Sequence, residues 1–158
     1  MFRILITGAG GFLGRRLTRA LVEAGSLVRG EVREKINRIT LADRAPVEPK
    51  YNSDIEFEDF VGDLADEANL KALCLQNFDS IFHLAAVLPL EAERDPENSY
   101  RTNVDALHYV LKRISGKPRV VFASSLAVFG GELPERVDDS IAHQPTTTYA
   151  FRNRSASC

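Results

Sequence analysis

Short apolar runs, bounded by glycine, proline and acidic residues, alternate along the chain with stretches of helical spacing. Phe2, Ile4, Leu5 and Ile6 lead to Thr7 in a run that predicts a buried strand. After Gly8 to Gly14, Leu13, Leu17, Leu21 and Ala24 recur at helical intervals until Gly25 supplies a C-cap. Residues 39–41 begin a second strand that ends at Asp43; the polar residues 26–37 before it read as added length, and 44–54, with two prolines, as a loop. A third strand covers 55–61, where Glu56, Glu58 and Asp59 suit a sheet edge. Asp66 is placed to N-cap a short helix carrying Leu70 and Leu73, and 80–84 form a fourth strand. Asp95-Pro96 starts a longer helix lined by Tyr100, Val104, Leu107, Leu111 and Ile114, and 120–123 form a fifth strand. Strands and helices alternating at this spacing predict an α/β fold, a Rossmann-type doubly wound parallel sheet of about five strands.

Composition narrows the function classes. The 158 residues carry a net charge of −2 with both signs interspersed, which leaves no footprint for nucleic acid or an anionic membrane. No apolar run approaches the roughly 20 residues of a membrane span, and Met1-Phe2-Arg3 leads into a strand, not a signal peptide. Two cysteines and three scattered histidines offer neither a disulfide framework nor a metal motif. The expectation is a metal-free cytoplasmic domain that works on small molecules.

The strand-to-helix junction carries the chemistry. Gly8, Gly11 and Gly14 follow a strand and open a helix. The first permits a tight turn, the second lets backbone approach a pyrophosphate, and the third lets helix and strand pack closely. The anion rests on unpaired N–H groups where Phe12 and Leu13 open the helix. A merely structural turn is the alternative. Asp43, at the end of the second strand, can accept hydrogen bonds from adenosine ribose hydroxyls and repel a 2′-phosphate, which favours NAD over NADP. It lies 29 residues beyond Gly14, against about 20 in the usual fingerprint, and neighbouring Arg44 could do the opposite job. Asp63 stands where an adenine contact would come, or else caps its own loop.

Gly8-x-x-Gly11-x-x-Gly14, Asp63-Leu64, His83-Leu84-Ala85-Ala86, Asn103-Val104, Ser124-Ser125 and Tyr149 occur here in a joint order. Together they resemble the extended short-chain dehydrogenase/reductase family, the NAD-dependent epimerases and dehydratases, and most nearly its D-erythronate dehydrogenase branch. The resemblance implies NAD as cofactor, with Leu64, Leu84, Ala85 and Ala86 beside it and Asn103 bracing the active site. Asn103 is otherwise an ordinary helix amide, and Ser124-Ser125 plain turn chemistry. In the family Tyr149 would be the base and would also lie against NAD, Ser125 would polarise the substrate oxygen, and His83 would be structural. The substrate class implied is a sugar acid or sugar nucleotide, and the full-length parent would be a homo-oligomer.

One family position departs from the pattern. A tyrosine base, with an unperturbed pKa of about 10, needs a nearby cation; the family supplies a lysine four residues on, where this chain has Asn153. Residues 150–158 also lack helical apolar periodicity. Ala150-Phe151-Arg152-Asn153 can be encoded GCN-TTY-AGR-AAY, and one extra G after the Tyr149 codon, with suitable choices at the ambiguous positions, turns this into Gly, an apolar residue, Gln and Lys. The expectation is an incomplete NAD-binding domain over 1–149, a frameshifted tail over 150–158, and an absent C-terminal substrate-binding part. Such a chain would not turn over. A nucleotide-sugar epimerase or uronate dehydrogenase relative, and a non-catalytic dinucleotide-binding protein, stand as alternatives.

Overall fold

β1 (Phe2–Thr7) is the middle strand of five parallel ones and is paired along both edges. The computed structural model describes residues 1–48 and 51–156. In chain order the other elements are α1 (Phe12–Ala24), β2 (Ser26–Arg29), β3 (Val32–Asp43), β4 (Glu56–Val61), α2 (Glu67–Cys74), β5 (Ser80–His83), α3 (Pro89–Arg94), α4 (Pro96–Tyr100), α5 (Ala106–Arg113), β6 (Arg119–Phe122) and α6 (Thr148–Ala156). Five strands run parallel in the order β4-β3-β1-β5-β6, as a doubly wound α/β sheet requires.

The alternation within β1 feeds two cores. Phe2, Ile4 and Ile6 pack with Ile39, Leu41 and Leu21 of α1 on one face. Leu5 joins Ile81, Leu70 and Leu73 of α2, and Ala106 and Val110 of α5 on the other. Ile4, Leu5 and Ile6 are fully buried, each contributing about 1.5–3 kcal/mol. β4 pairs only with β3, so its acidic residues do lie at a sheet edge, where Glu56 and Glu58 meet Arg38.

The structure corrects several expected boundaries. Residues 26–37 are mostly a hairpin, not added loop: β2 pairs antiparallel with the first part of β3, around Gly30 at φ +64°. β3 therefore begins at Val32 instead of residue 39. Over its first part, residues 32–38, only Ile36 is buried among charged and polar neighbours, so little apolar alternation betrays it. Leu13 is exposed; Gly14, Thr18 and Leu21 form the buried stripe of α1. The helix begun by Asp95-Pro96 contains a π-helical turn at Arg101–Asp105 between α4 and α5. The tail is helical despite its pattern, since α6 docks through polar bonds, with Arg152 donating to Ser99 Oγ at 2.6 Å. Cys74 is buried, and Cys158 lies outside the described residues.

The contact between α1 and β1 is the tightest constraint in the core. A Cβ at Gly14 would lie 2.6 Å from Ala9 Cα and closer still to the Gly8 carbonyl oxygen. Gly14→Ala should therefore lower the unfolding free energy by about 2–3 kcal/mol. Leu13→Ala, one residue away but exposed, should change it by less than about 0.5 kcal/mol. Urea titrations of both variants check the contrast.

Candidate functional site

A cleft of about 410 Å³ opens where the C-terminal ends of β1, β3 and β5 meet the start of α1. Gly8, Gly11, Asp43, Asp63, Leu64, Leu84, Ala85 and Ala86 line it together, so sequence-distant candidates converge on one site. Gly8 holds φ +66°, and a Cβ there would stand 2.8 Å from Ala85 N. Gly11 is the N-cap of α1 without a side-chain cap, and the first turn carries no acid, which leaves its N–H groups for an external anion. Phe12 and Leu13 sit on that turn with exposed side chains, and Gly14 is buried beneath it.

Asp43 does more than end a strand. Its Oδ2 accepts the Gly10 N–H at 2.9 Å and its Oδ1 accepts the Arg44 N–H at 2.7 Å. Each oxygen keeps a lone pair for a hydroxyl. Gly10, absent from the glycine pattern, packs closely on that carboxylate: a Cβ would lie 3.2 Å from Asp43 Oδ2, and the side chain would have to give by a few tenths of an ångström. Its carbonyl accepts from Arg15 Nε at 2.7 Å, and among the described residues Arg15 and Arg44 are the cations on the cleft wall. Asp63 caps its own loop, accepting from Ala65 N at 2.8 Å, while still lining the cleft.

Buried polar groups fix the opposite wall. Thr7 Oγ1 accepts the N–H groups of Leu84 and Ala85, both at 3.2 Å. Its proton is thereby directed to His83 Nδ1 at 3.1 Å, and the neutral ring carries its own proton on Nε2, which has no partner among the described residues. Burial pushes the His83 pKa down to about 4. His83 is a core residue, 1% exposed. Asn103 lies behind the wall in the π-helical turn; it accepts from Val87 N at 2.7 Å and donates to Val87 O at 3.1 Å.

Ser125 and Tyr149 are not part of this cleft's lining. Ser125 Oγ accepts from Ala127 N and caps the short 3₁₀ turn Leu126–Val128, against which α6 packs. Tyr149 lies in the first turn of α6, and its carbonyl accepts from Asn153 Nδ2 at 3.1 Å. The two side chains share no hydrogen bond among the described residues. Sequence reasoning omitted Gly10, Arg15 and Gly62 from the site. The glycine pair at 10 and 11 was the one signal available for the first.

The model of the NAD dependent epimerase/dehydratase family matches residues 4–157. The chain belongs to that family. D-erythronate dehydrogenase of Cupriavidus necator is 39% identical over 94% of this chain and 46% of its own length. The solved nucleoside-diphosphate-sugar epimerase of Agrobacterium tumefaciens is 34% identical with a TM-score of 0.88, covering 98% of this chain and 46% of that one. A uronate dehydrogenase variant from the same organism, solved in complex with NAD, is 27% identical with a TM-score of 0.71 over 99% of this chain and 53% of that one. The chain thus spans about half the length of the curated relatives it matches. The family is NAD-dependent, and the glycine cradle, the uncapped α1 terminus and the Asp43 carboxylate fit a dinucleotide.

His83 makes stability depend on pH. Its folded pKa, about 4, lies below the unfolded value of about 6.5. Its contribution is complete above pH 6.5 and is lost as pH falls towards 4, a change of roughly 3 kcal/mol at most. The stability gap between the native chain and His83→Gln, whose amide still offers Thr7 an acceptor, should narrow by about that amount between pH 7 and pH 4. Urea unfolding of both proteins across this range measures it; an unchanged gap contradicts a buried neutral imidazole.

Proposed function

We propose that this chain binds NAD in the cleft and supplies the cofactor-binding part of an oxidoreductase that acts on a secondary hydroxyl of a sugar acid, a reading supported by its similarity to proteins named D-erythronate dehydrogenase. The observation that carries the reading is Asp43 and the glycine cradle in one cleft, with Gly10 bonded directly to that carboxylate. Gly8, Gly11 and the first turn of α1 would receive the pyrophosphate, and Asp43 the adenosine ribose. Asp63 and Leu64 would flank the adenine, and the Leu84–Ala86 wall, braced by Asn103, would run beside the cofactor. NAD, when bound, accepts hydride from an alcohol carbon. Tyr149 would take the hydroxyl proton and Ser125 would orient the oxygen.

This chain is poorly equipped for that proton transfer. Asn153 brings no charge and donates its amide back to the Tyr149 carbonyl. The adjacent cation, Arg152, is buried and donates to Ser99. Those placements support a chain that binds the cofactor with little turnover. They also keep open the second reading, a non-catalytic dinucleotide binder. The 34% identity to a nucleoside-diphosphate-sugar epimerase supports a sugar-nucleotide substrate as the alternative within the family. We also infer a one-base shift of reading frame behind residues 150–158, because a restored frame, with suitable choices at the ambiguous codon positions, gives lysine at position 153; sequencing genomic DNA across the Tyr149 codon tests it.

Calorimetric titration should show NAD binding with at least about tenfold preference over NADP. NADH formation from a panel of sugar acids should stay at background. Binding of neither dinucleotide by the folded chain defeats the cofactor assignment, equal or tighter NADP binding defeats the role of Asp43, and substantial turnover defeats the inactive reading.

A further inference from the structure

The two outer strands of the parallel sheet end it in different ways. β4 carries Glu56, Glu58 and Asp59, with Arg38 of β3 paired to the two glutamates, and such charge guards an edge against further pairing. β6 follows Pro118 with Arg119-Val120-Val121-Phe122, and Arg119 turns its Nη1 to the Val28 carbonyl at 3.2 Å. The rest of that strand is apolar. Arg119 N donates to Asp79 O and Ala123 N to His83 O, so residues 119, 121 and 123 direct their backbone groups to β5. Val120 and Phe122 direct theirs outward, where no partner meets them among the described residues. Phe122 stacks on His83 and Val120 packs on the core, whereas Val121, on the opposite face, is 41% exposed.

We propose that the β6 edge pairs antiparallel with the same edge of a second copy of this chain, about a two-fold axis at Val121. In that register Val120 lies opposite the second copy's Phe122, and Phe122 opposite its Val120. The outward N–H and carbonyl groups of both residues are then paired in each copy. The exposed Val121 side chains meet across the axis, at the closer spacing of a pair without hydrogen bonds. Arg119 faces Ala123 of the second copy, so no like charges are opposed. Other arrangements fit less well. An axis at Val120 puts Phe122 opposite Pro118, which has no N–H to give. An axis at Phe122 sets Val121 against Ala123 and separates the two valines. A parallel pairing in register places Arg119 beside Arg119. The two-fold arrangement is closed by its own symmetry, so association stops at a dimer.

Sedimentation velocity of the native chain between about 5 and 500 µM should show a monomer–dimer equilibrium. Its midpoint should be on the order of 100 µM, because so short a strand makes a small interface. Val121→Lys sets two ammonium groups against each other across the axis, and Val121→Glu two carboxylates. Each alone should raise the midpoint at least about tenfold. Mixed in equal amounts, the two variants should associate at least as tightly as the native chain, since opposite charges now meet. A folding defect cannot produce that rescue. Amide hydrogen exchange at Val120 and Phe122 of the native chain should slow as concentration rises from about 20 to 500 µM, which tests the same edge without any substitution. A native chain that stays monomeric at 500 µM, or a mixture of the two folded variants that stays monomeric, overturns the inference. A dimer that Val121→Lys leaves intact overturns it by placing the contact elsewhere, and assembly beyond a dimer overturns the two-fold closure. Protection of the two amides that does not vary with concentration puts another segment of this chain on the edge and overturns it as well.

Discussion

Everything at the upper end of this sheet depends on a lack of room around Gly8. On one side a Cβ at Gly8 would meet the backbone of Ala85, and on the other a Cβ at Gly14 would meet the Gly8 carbonyl. β1, β5 and α1 thus approach so closely that only backbone separates them. Two consequences follow from the same contact. The helix terminus is brought over the strand end with its N–H groups uncovered, and the end of β5 is brought alongside the turn. A larger residue at either position would separate these elements and open the cleft into a surface groove.

Close approach alone would leave the walls mobile, because backbone groups at strand ends have lost their ladder partners. Buried side chains complete the pairing. Thr7 serves the two amides that follow β5 and uses its proton to hold His83, so one hydroxyl joins β1 to the wall of the cleft. Asn103 does the same from behind, taking both the N–H and the carbonyl of Val87. Its side chain reaches that peptide from a π-helical turn, which shifts the helix locally where an α-helical register continues on either side.

The sequence displayed this architecture wherever a residue type has one physical use. Three glycines between an apolar run and a helical stripe mark a close approach, and Asp66 and Asp95 mark helix starts that the structure bears out. It concealed features whose cause is tertiary. The β2–β3 hairpin is written in charged residues because its faces are mostly solvated, so periodicity passes over it. Gly10 is an ordinary loop residue until the fold puts Asp43 beside it, and Arg15 an ordinary helix-surface residue until its Nε reaches the Gly10 carbonyl. The tail lacks an apolar stripe, and its helix depends instead on Arg152 finding Ser99, a partner 53 residues away.

The two ends of the site consequently differ in kind. Where the proposal places adenosine, the cleft offers backbone N–H groups and a carboxylate already held by two amides, so its geometry is set before any ligand arrives. At the Ser125 and Tyr149 end, each polar group satisfies its own turn: Ser125 the 3₁₀ segment, Asn153 the Tyr149 carbonyl. A side chain at position 153 points inward, only 5% exposed, and there an amide can close a hydrogen bond within its helix but cannot place a charge. On the proposed reading, binding and chemistry are separable. The first would rest on the two cores that flank β1, Ala106 and Val110 of α5 included, whereas the second would turn on the identity of one inward-facing side chain.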